Sequence, residues 1–145
     1  VTYCIRDAVS RAVSHAKFHL KFAGQESDLS NMCPANLRKL LLSDNIYPQS
    51  RSEEHITALH KVFGNERLRI VRCESLWDDP RGVVDPLCAF LGIPPIDGDI
   101  NREAVNVGPS STMNADVESI FEEVFAPLRK RHVELLERHR DILIG

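Results

Sequence analysis

The spacing of apolar residues changes several times along the chain, and each change predicts a different element. Val1–Ile5 (VTYCI) is a short, mostly apolar, β-rich run, typical of a strand in a parallel sheet that is buried on both faces. Apolar residues then recur at helical spacing from Ala8 to Leu20. This pattern predicts a helix over residues 8–22, with Asp7 as its N-cap.

The middle of the chain predicts more helices and one further strand. The predicted elements are a short helix over Ala35–Leu42, a helix from Ser52 to the Gly64-Asn65 pair, a strand over Leu68–Cys73 (LRIVRC) and a helix over residues 81–91. Pro86 is expected to bend or delay the last of these helices.

The last third of the chain predicts a long polar loop and then two helices. Residues 97–115 are polar and punctuated by Gly and Pro, and loops of this length are often functional. Two closing helices are predicted over residues 115–125 and 128–143, interrupted at Pro127, with Val133 among the residues facing inward. The order of strands and helices predicts an α/β fold with a parallel sheet in a layered arrangement.

Only two strands are predicted, and two parallel strands do not form a stable sheet by themselves. We therefore expect residues 1–145 to be the C-terminal part of a single α/β domain, whose sheet is incomplete in this chain.

Composition and charge narrow the function classes. A net charge of −3 argues against broad binding to nucleic acid or to an anionic membrane, although a local anion site is compatible with it. No apolar stretch approaches the ~20 residues of a membrane span, and the charged residues from Arg6 onward exclude a signal peptide. The four cysteines lack the short spacings of zinc or redox motifs, so we expect free, buried thiols in a soluble, cytoplasmic protein.

Arg6 and Ser14 form the clearest candidate site. Arg6 follows the first strand, and ligands of open α/β sheets bind beyond the carboxyl ends of strands. Its guanidinium and the start of the next helix suit a phosphate, to which Ser14 could add a hydroxyl. The alternatives are that Arg6 pairs with a carboxylate such as that of Asp7, and that Ser14 is simply solvated.

Three segments resemble the sulfotransferase family. The family's 3′-phosphate-binding segment is resembled by the run CIRDAVSRAVSHAKF. Its strand followed by Glu and an Asp-Pro pair is resembled by the run ERLRIVRCESLWDDP, and its Phe-Leu-Gly ending is resembled by the run LCAFLGI. The segments occur in the family's order, over residues 1–23 and 52–93. The resemblance implies a P-loop nucleotide-hydrolase-like, three-layer fold.

The resemblance also implies an activity and a set of binding residues. The family transfers a sulfuryl group from 3′-phosphoadenosine 5′-phosphosulfate (PAPS) to a hydroxyl or an amine, without a metal. Arg6 and Ser14 match the positions that hold the 3′-phosphate of PAPS, and Glu74 matches a structural position. Asn106 and Ser110 lie where family members often close over the nucleotide, and are further candidates for binding it.

Two parts of the family pattern are absent. The phosphosulfate-binding loop and the catalytic base would both precede Val1, so the catalytic residues are unassigned. We expect no turnover from this segment alone, which would work with an N-terminal remainder or a partner chain. The acceptor, a small molecule or a glycan, would be selected partly by loops at residues 24–34 and 43–51. The alternative is a non-catalytic sulfotransferase-like module for nucleotide binding or assembly.

Three other features have ordinary structural interpretations. Trp77 could stack on a base, but we expect it to seal the edge of the core. His15 and His19 have a zinc-like spacing without a third ligand, which favours solvated or partly packed side chains. The basic run 129–131 is expected to be solvated or to pair with Glu134 and Glu137.

Overall fold

Groups of helices separate the strands along the part of the chain that the computed structural model describes, which is residues 1–24, 29–100 and 113–145. The elements in chain order are β1 (Thr2–Ile5), α1 (Ala8–Phe22), α2 (Pro34–Leu41), α3 (Ser52–Arg67), β2 (Arg69–Arg72), α4 (Ser75–Asp78), α5 (Pro80–Leu91), α6 (Ala115–Arg138) and β3 (Leu143–Ile144). Short 3-10 turns lie at Leu29–Asn31, Pro48–Ser50 and Arg140–Ile142. The predicted α/β class is confirmed.

The chain divides into two compact units. The first unit contains residues 1–6, 53–104 and 134–145, and therefore all three strands. The second unit contains residues 7–52 and 105–133, and is helical where it is described.

The sheet of the first unit is parallel, with the order β1-β2-β3. Ile5 pairs with Arg72 at the carboxyl end of β1, and Val71 pairs with Ile144 in β3. The prediction of only two strands was wrong. A two-residue strand that closes a run rich in charge gives almost no periodic signal, and here the pairing with β2 makes it a strand.

Both faces of the sheet carry helices. Ile5 and Ile70 pack on one face with Ile56 of α3 and Leu135 near the end of α6. Val71 and Ile144 lie on the other face, in a second apolar cluster with Val83 of α5. Because successive strand residues point to opposite faces, β2 needs apolar residues at both Ile70 and Val71, and the run RIVR supplies them.

The second unit is organised around α1, whose bounds agree with the prediction. Ala8, Ala12, Ala16 and Leu20 are buried at intervals of four and form one stripe of the helix. Asp7 caps the helix, since its carboxylate accepts a hydrogen bond from the Ser10 amide at 2.9 Å. The small alanine side chains let other elements approach this stripe closely, and Leu37, Leu41, Phe121 and Phe125 share the same core.

The predicted break at Pro127 was wrong, because α6 is continuous from Ala115 to Arg138 with Pro127 inside it. The missing proline amide and the ring cost a helix interior about 3 kcal/mol. Phe125 and Leu128 are buried on either side of Pro127, and burial of each contributes about 1.5–3 kcal/mol. That burial offsets the cost. Val133, expected to face inward, is 53% exposed.

Candidate functional site

Arg6 lies at the carboxyl edge of the sheet in the first unit. β1 ends at Ile5, and the Ile5 carbonyl accepts a hydrogen bond from the Cys73 amide at 2.8 Å, one residue past the end of β2. Arg6 therefore has Cys73 as its neighbour on the adjacent strand. The carboxyl ends of parallel strands are where ligands of open α/β sheets bind.

The Arg6 side chain is exposed and keeps its hydrogen-bonding capacity. Within the described residues, Arg6 has no hydrogen bond and no ion pair. The alternative in which a described carboxylate such as that of Asp7 neutralises Arg6 is therefore excluded. The five N–H donors of the guanidinium remain available for an anion.

The carboxylate of Asp7 is held by Arg129 of the second unit. Asp7 accepts hydrogen bonds from Arg129 Nε at 2.9 Å and Nη2 at 3.3 Å, and Arg129 also binds Glu122 at 2.6 Å. Burial raises the pKa of Asp7, but the hydrogen bonds from Arg129 and Ser10 outweigh it, so the pKa lies below its ordinary value. The hydrogen bond to Asp7 in turn raises the pKa of Arg129.

This ion pair differs from the predicted one. Arg129 binds Glu122 and Asp7 rather than Glu134 or Glu137. The contact between residues 7 and 129 spans most of the sequence, so local charge spacing gives no signal for it.

Ser14 lies in the second unit, on α1. Its side chain is exposed and projects from the helix opposite the buried stripe of Ala8, Ala12 and Ala16, and its hydroxyl has no partner in the described part of the chain. Asn106 and Ser110 lie outside the described residues, and their assignment stays a prediction.

Trp77 does not seal the core. It lies in α4, which begins three residues after Arg72, the last residue of β2. The Trp77 side chain is 56% exposed. Its neighbour Leu76 instead packs against the apolar cluster of Val71 and Val83. The expectation for Trp77 was wrong because one turn of helix directs adjacent side chains to different sides.

The thiols and imidazoles do not form a metal cluster in the part of the chain that is described: no group of three or more His, Cys, Asp or Glu side chains could hold a metal ion there. None of the four cysteines, all of which lie in described segments, forms a disulfide, but the expectation of buried thiols was correct only for Cys88, because Cys4 and Cys33 are exposed and Cys73 is half-buried. No local spacing predicts a contact between His60 and His139, yet their rings lie 4.9 Å apart in an edge-to-face arrangement. Burial, His60 and Arg138 lower the pKa of His139, and Asp141 partly opposes them.

Comparison with known proteins decides the family. A family model described as a sulfotransferase domain matches residues 1–120 of the 145. The chain belongs to the sulfotransferase family. The match includes Arg6, Ser14 and Trp77, together with β1 and β2 of this sulfotransferase sheet. No curated protein and no solved structure matches the chain.

A membrane-spanning helix is not found among residues 1–24, 29–100 and 113–145 of this sulfotransferase-family chain. Its longest helix, α6, carries charged residues throughout.

Proposed function

We propose that this sulfotransferase-family chain binds PAPS at the carboxyl edge of its sheet and serves in sulfuryl transfer to a hydroxyl or amine acceptor. The observation that carries the proposal is Arg6, an exposed arginine without a described partner, placed directly after a strand of a parallel sheet. An uncompensated guanidinium at this edge suits an anionic ligand group.

The chemistry of the residues fits the nucleotide. A ribose 3′-phosphate carries a second anionic group that adenylyl sulfate lacks, and the fork of Arg6 can donate two parallel hydrogen bonds to it. Ser14 is proposed as a second donor on the strength of the family resemblance. The bound nucleotide supplies the activated sulfuryl group, while Arg6 holds and orients the distant end of the molecule.

The family's three-layer, P-loop-like arrangement is part of the same proposal. It is supported by helices on both faces of the parallel sheet. Four described cysteines without a disulfide support a reducing, cytoplasmic setting. The acceptor class, a small molecule or a glycan, is carried over from the family resemblance.

Calorimetry with adenosine 3′,5′-bisphosphate tests the proposal. Hydrogen bonds to charged groups contribute about 1.5–3 kcal/mol, so Arg6→Ala is expected to weaken binding by about tenfold to a hundredfold. Ser14→Ala is expected to weaken it by about tenfold or less. Adenosine 5′-monophosphate, which lacks the 3′-phosphate, should bind the wild type and Arg6→Ala equally.

Arg67→Ala is the matched control. Arg67 is also exposed and belongs to the first unit, but it precedes β2 and so lies at the amino edge of the sheet. Its replacement should leave the affinity unchanged. Equal binding of the bisphosphate by the wild type and Arg6→Ala would remove Arg6 from the site and overturn the proposal.

A further inference from the structure

Two histidines of the first unit are in contact just before the start of β3. His139 lies where α6 has ended, four residues before β3, and His60 lies on α3. Their ring centroids are 4.9 Å apart, edge to face, and His139 is only 8% exposed. A buried imidazole has to give up its hydration to carry a charge, so this contact favours the neutral forms.

Two hydrogen bonds in series join α3 to the turn that precedes β3. Nε2 of His60 donates to Oδ1 of Asn65, and Nδ2 of Asn65 donates to Oδ2 of Asp141. Within the turn, the Ile142 amide donates to the His139 carbonyl at 3.1 Å. The position of this turn, which leads directly into β3, is therefore set by contacts with α3.

β3 itself has a short attachment to the sheet. Leu143 pairs with Ile70 and Ile144 pairs with Val71, whereas β1 and β2 pair over four residues each. A segment with few ladder hydrogen bonds opens at a lower free-energy cost than the rest of the sheet. The contacts of the preceding turn consequently matter for keeping residues 139–145 in place.

The charged and titratable groups that face His139 come from α3, from the end of α6 and from the turn. Among the described residues they are His60, Arg138 and Asp141. Burial lowers the pKa of His139 most, His60 and Arg138 lower it further, and Asp141 partly opposes them. Arg138 also has the carboxylate of Glu53, on α3, at 3.9 Å. The net effect of these surroundings is to disfavour a charged His139.

We propose that the contact between His60 and His139 is an acid-sensitive lock that holds β3 on the sheet. Protonation of both imidazoles places two positive charges side by side, and His139 regains water only by leaving its buried position. The segment 139–145 then separates from β2 and uncovers Val71. This device does not depend on the proposed nucleotide binding.

The direction and the size of the effect follow from the geometry. Because the open segment binds protons more readily than the docked one, opening increases as the pH falls through the ordinary histidine value of 6.5. Two unit charges 4.9 Å apart repel enough to change the opening equilibrium about fourfold at the dielectric constant of water, and by more in a partly buried site.

Amide hydrogen exchange, followed by mass spectrometry at about pH 5.5 and about pH 7.5, tests the lock in the wild-type chain. After correction for the intrinsic pH dependence of exchange, opening of residues 139–145 should be about fourfold greater or more at the lower pH. Opening of β1 should not change by this factor. An equal increase in β1 would mean that acid unfolds the whole unit, and no increase in residues 139–145 would mean that no lock exists; either result overturns the proposal.

His60→Phe separates charge from packing, because it keeps an aromatic ring against His139 and cannot be protonated. The acid-induced opening should be smaller in this variant, with a remainder due to the burial of His139. His55→Gln is the matched control: His55 is an exposed histidine of the same helix, with Nδ1 3.1 Å from the Tyr3 hydroxyl, and its loss should leave the acid response unchanged. Equal acid responses in His60→Phe and the wild type would refute the lock. Should His60→Phe not fold, His60→Gln replaces it, and the wild-type comparison of residues 139–145 with β1 needs no variant.

Discussion

Replacing Asp7 by alanine removes both the N-cap of α1 and the ion pair with Arg129. Asp7→Asn keeps a good capping side chain and removes only the charge. The pair of variants therefore separates the two contributions to the stability of the fold.

The magnitudes follow from the geometry. Loss of an N-cap costs about 0.5–2 kcal/mol. The ion pair is partly exposed, with side-chain accessibilities of 41% for Arg129 and 28% for Asp7, and such pairs contribute about 0.2–1 kcal/mol. We expect Asp7→Ala to lower the free energy of unfolding by about 1–3 kcal/mol and Asp7→Asn by about 0.2–1 kcal/mol.

Urea unfolding at pH 7, followed by circular dichroism, measures both changes. With an m-value of about 1–3 kcal/mol/M, each kcal/mol lost lowers the midpoint by about 0.3–1 M. Arg38→Met breaks the exposed ion pair of Arg38 with Glu123 in the same unit, and should shift the midpoint little. Equal losses in Asp7→Asn and Asp7→Ala would refute the capping role of the carboxylate.

The same carboxylate has a predictable pH dependence. The pKa of Asp7 is lower in the folded chain than its ordinary value of 3.8. Its charge therefore stabilises the fold above that ordinary value, and the contribution is lost as the pH falls through the folded pKa. The difference in stability between the wild type and Asp7→Asn should vanish in acid.

Two further predictions concern His139 and Pro127. Because the pKa of buried His139 is lowered from 6.5 in the folded chain, stability should fall as the pH drops through about 6.5 towards the folded pKa. Urea midpoints measured across pH 5–8 should fall less towards acid for His139→Gln than for the wild type. Some dependence on pH should remain from His15, because burial, Arg11 and His19 lower the pKa of that residue too. If the midpoint of His139→Gln depends on pH as strongly as that of the wild type, His139 is excluded as a cause. Pro127→Ala restores an amide inside α6 and should stabilise the chain by about 1–3 kcal/mol. A lower midpoint would show that α6 needs the proline.

Local signals in the sequence were enough to predict the elements that carry Arg6 and Ser14. β1 is a β-rich run, and α1 combines a capping Asp7 with an apolar residue at every fourth position. Both signals lie in neighbouring residues, so they can be read from the sequence without knowledge of any tertiary contact.

Features that depend on contacts between distant residues were not predicted. β3 exists because Leu143 and Ile144 pair with β2, and α6 continues past Pro127 because its neighbours in the helix are buried. The binding of Asp7 by Arg129 likewise joins residues far apart in sequence. Neither periodicity nor capping chemistry carries information about such contacts. The exposure of Trp77 was not predicted either, because it depends on how the single turn of α4 is oriented.

A crystal structure of the chain with adenosine 3′,5′-bisphosphate tests the central claim most directly. We predict an oxygen of the 3′-phosphate at hydrogen-bond distance, about 2.8 Å, from the guanidinium of Arg6. A nucleotide bound elsewhere, or one whose 3′-phosphate points into solvent while Arg6 stays uncontacted, would contradict the account.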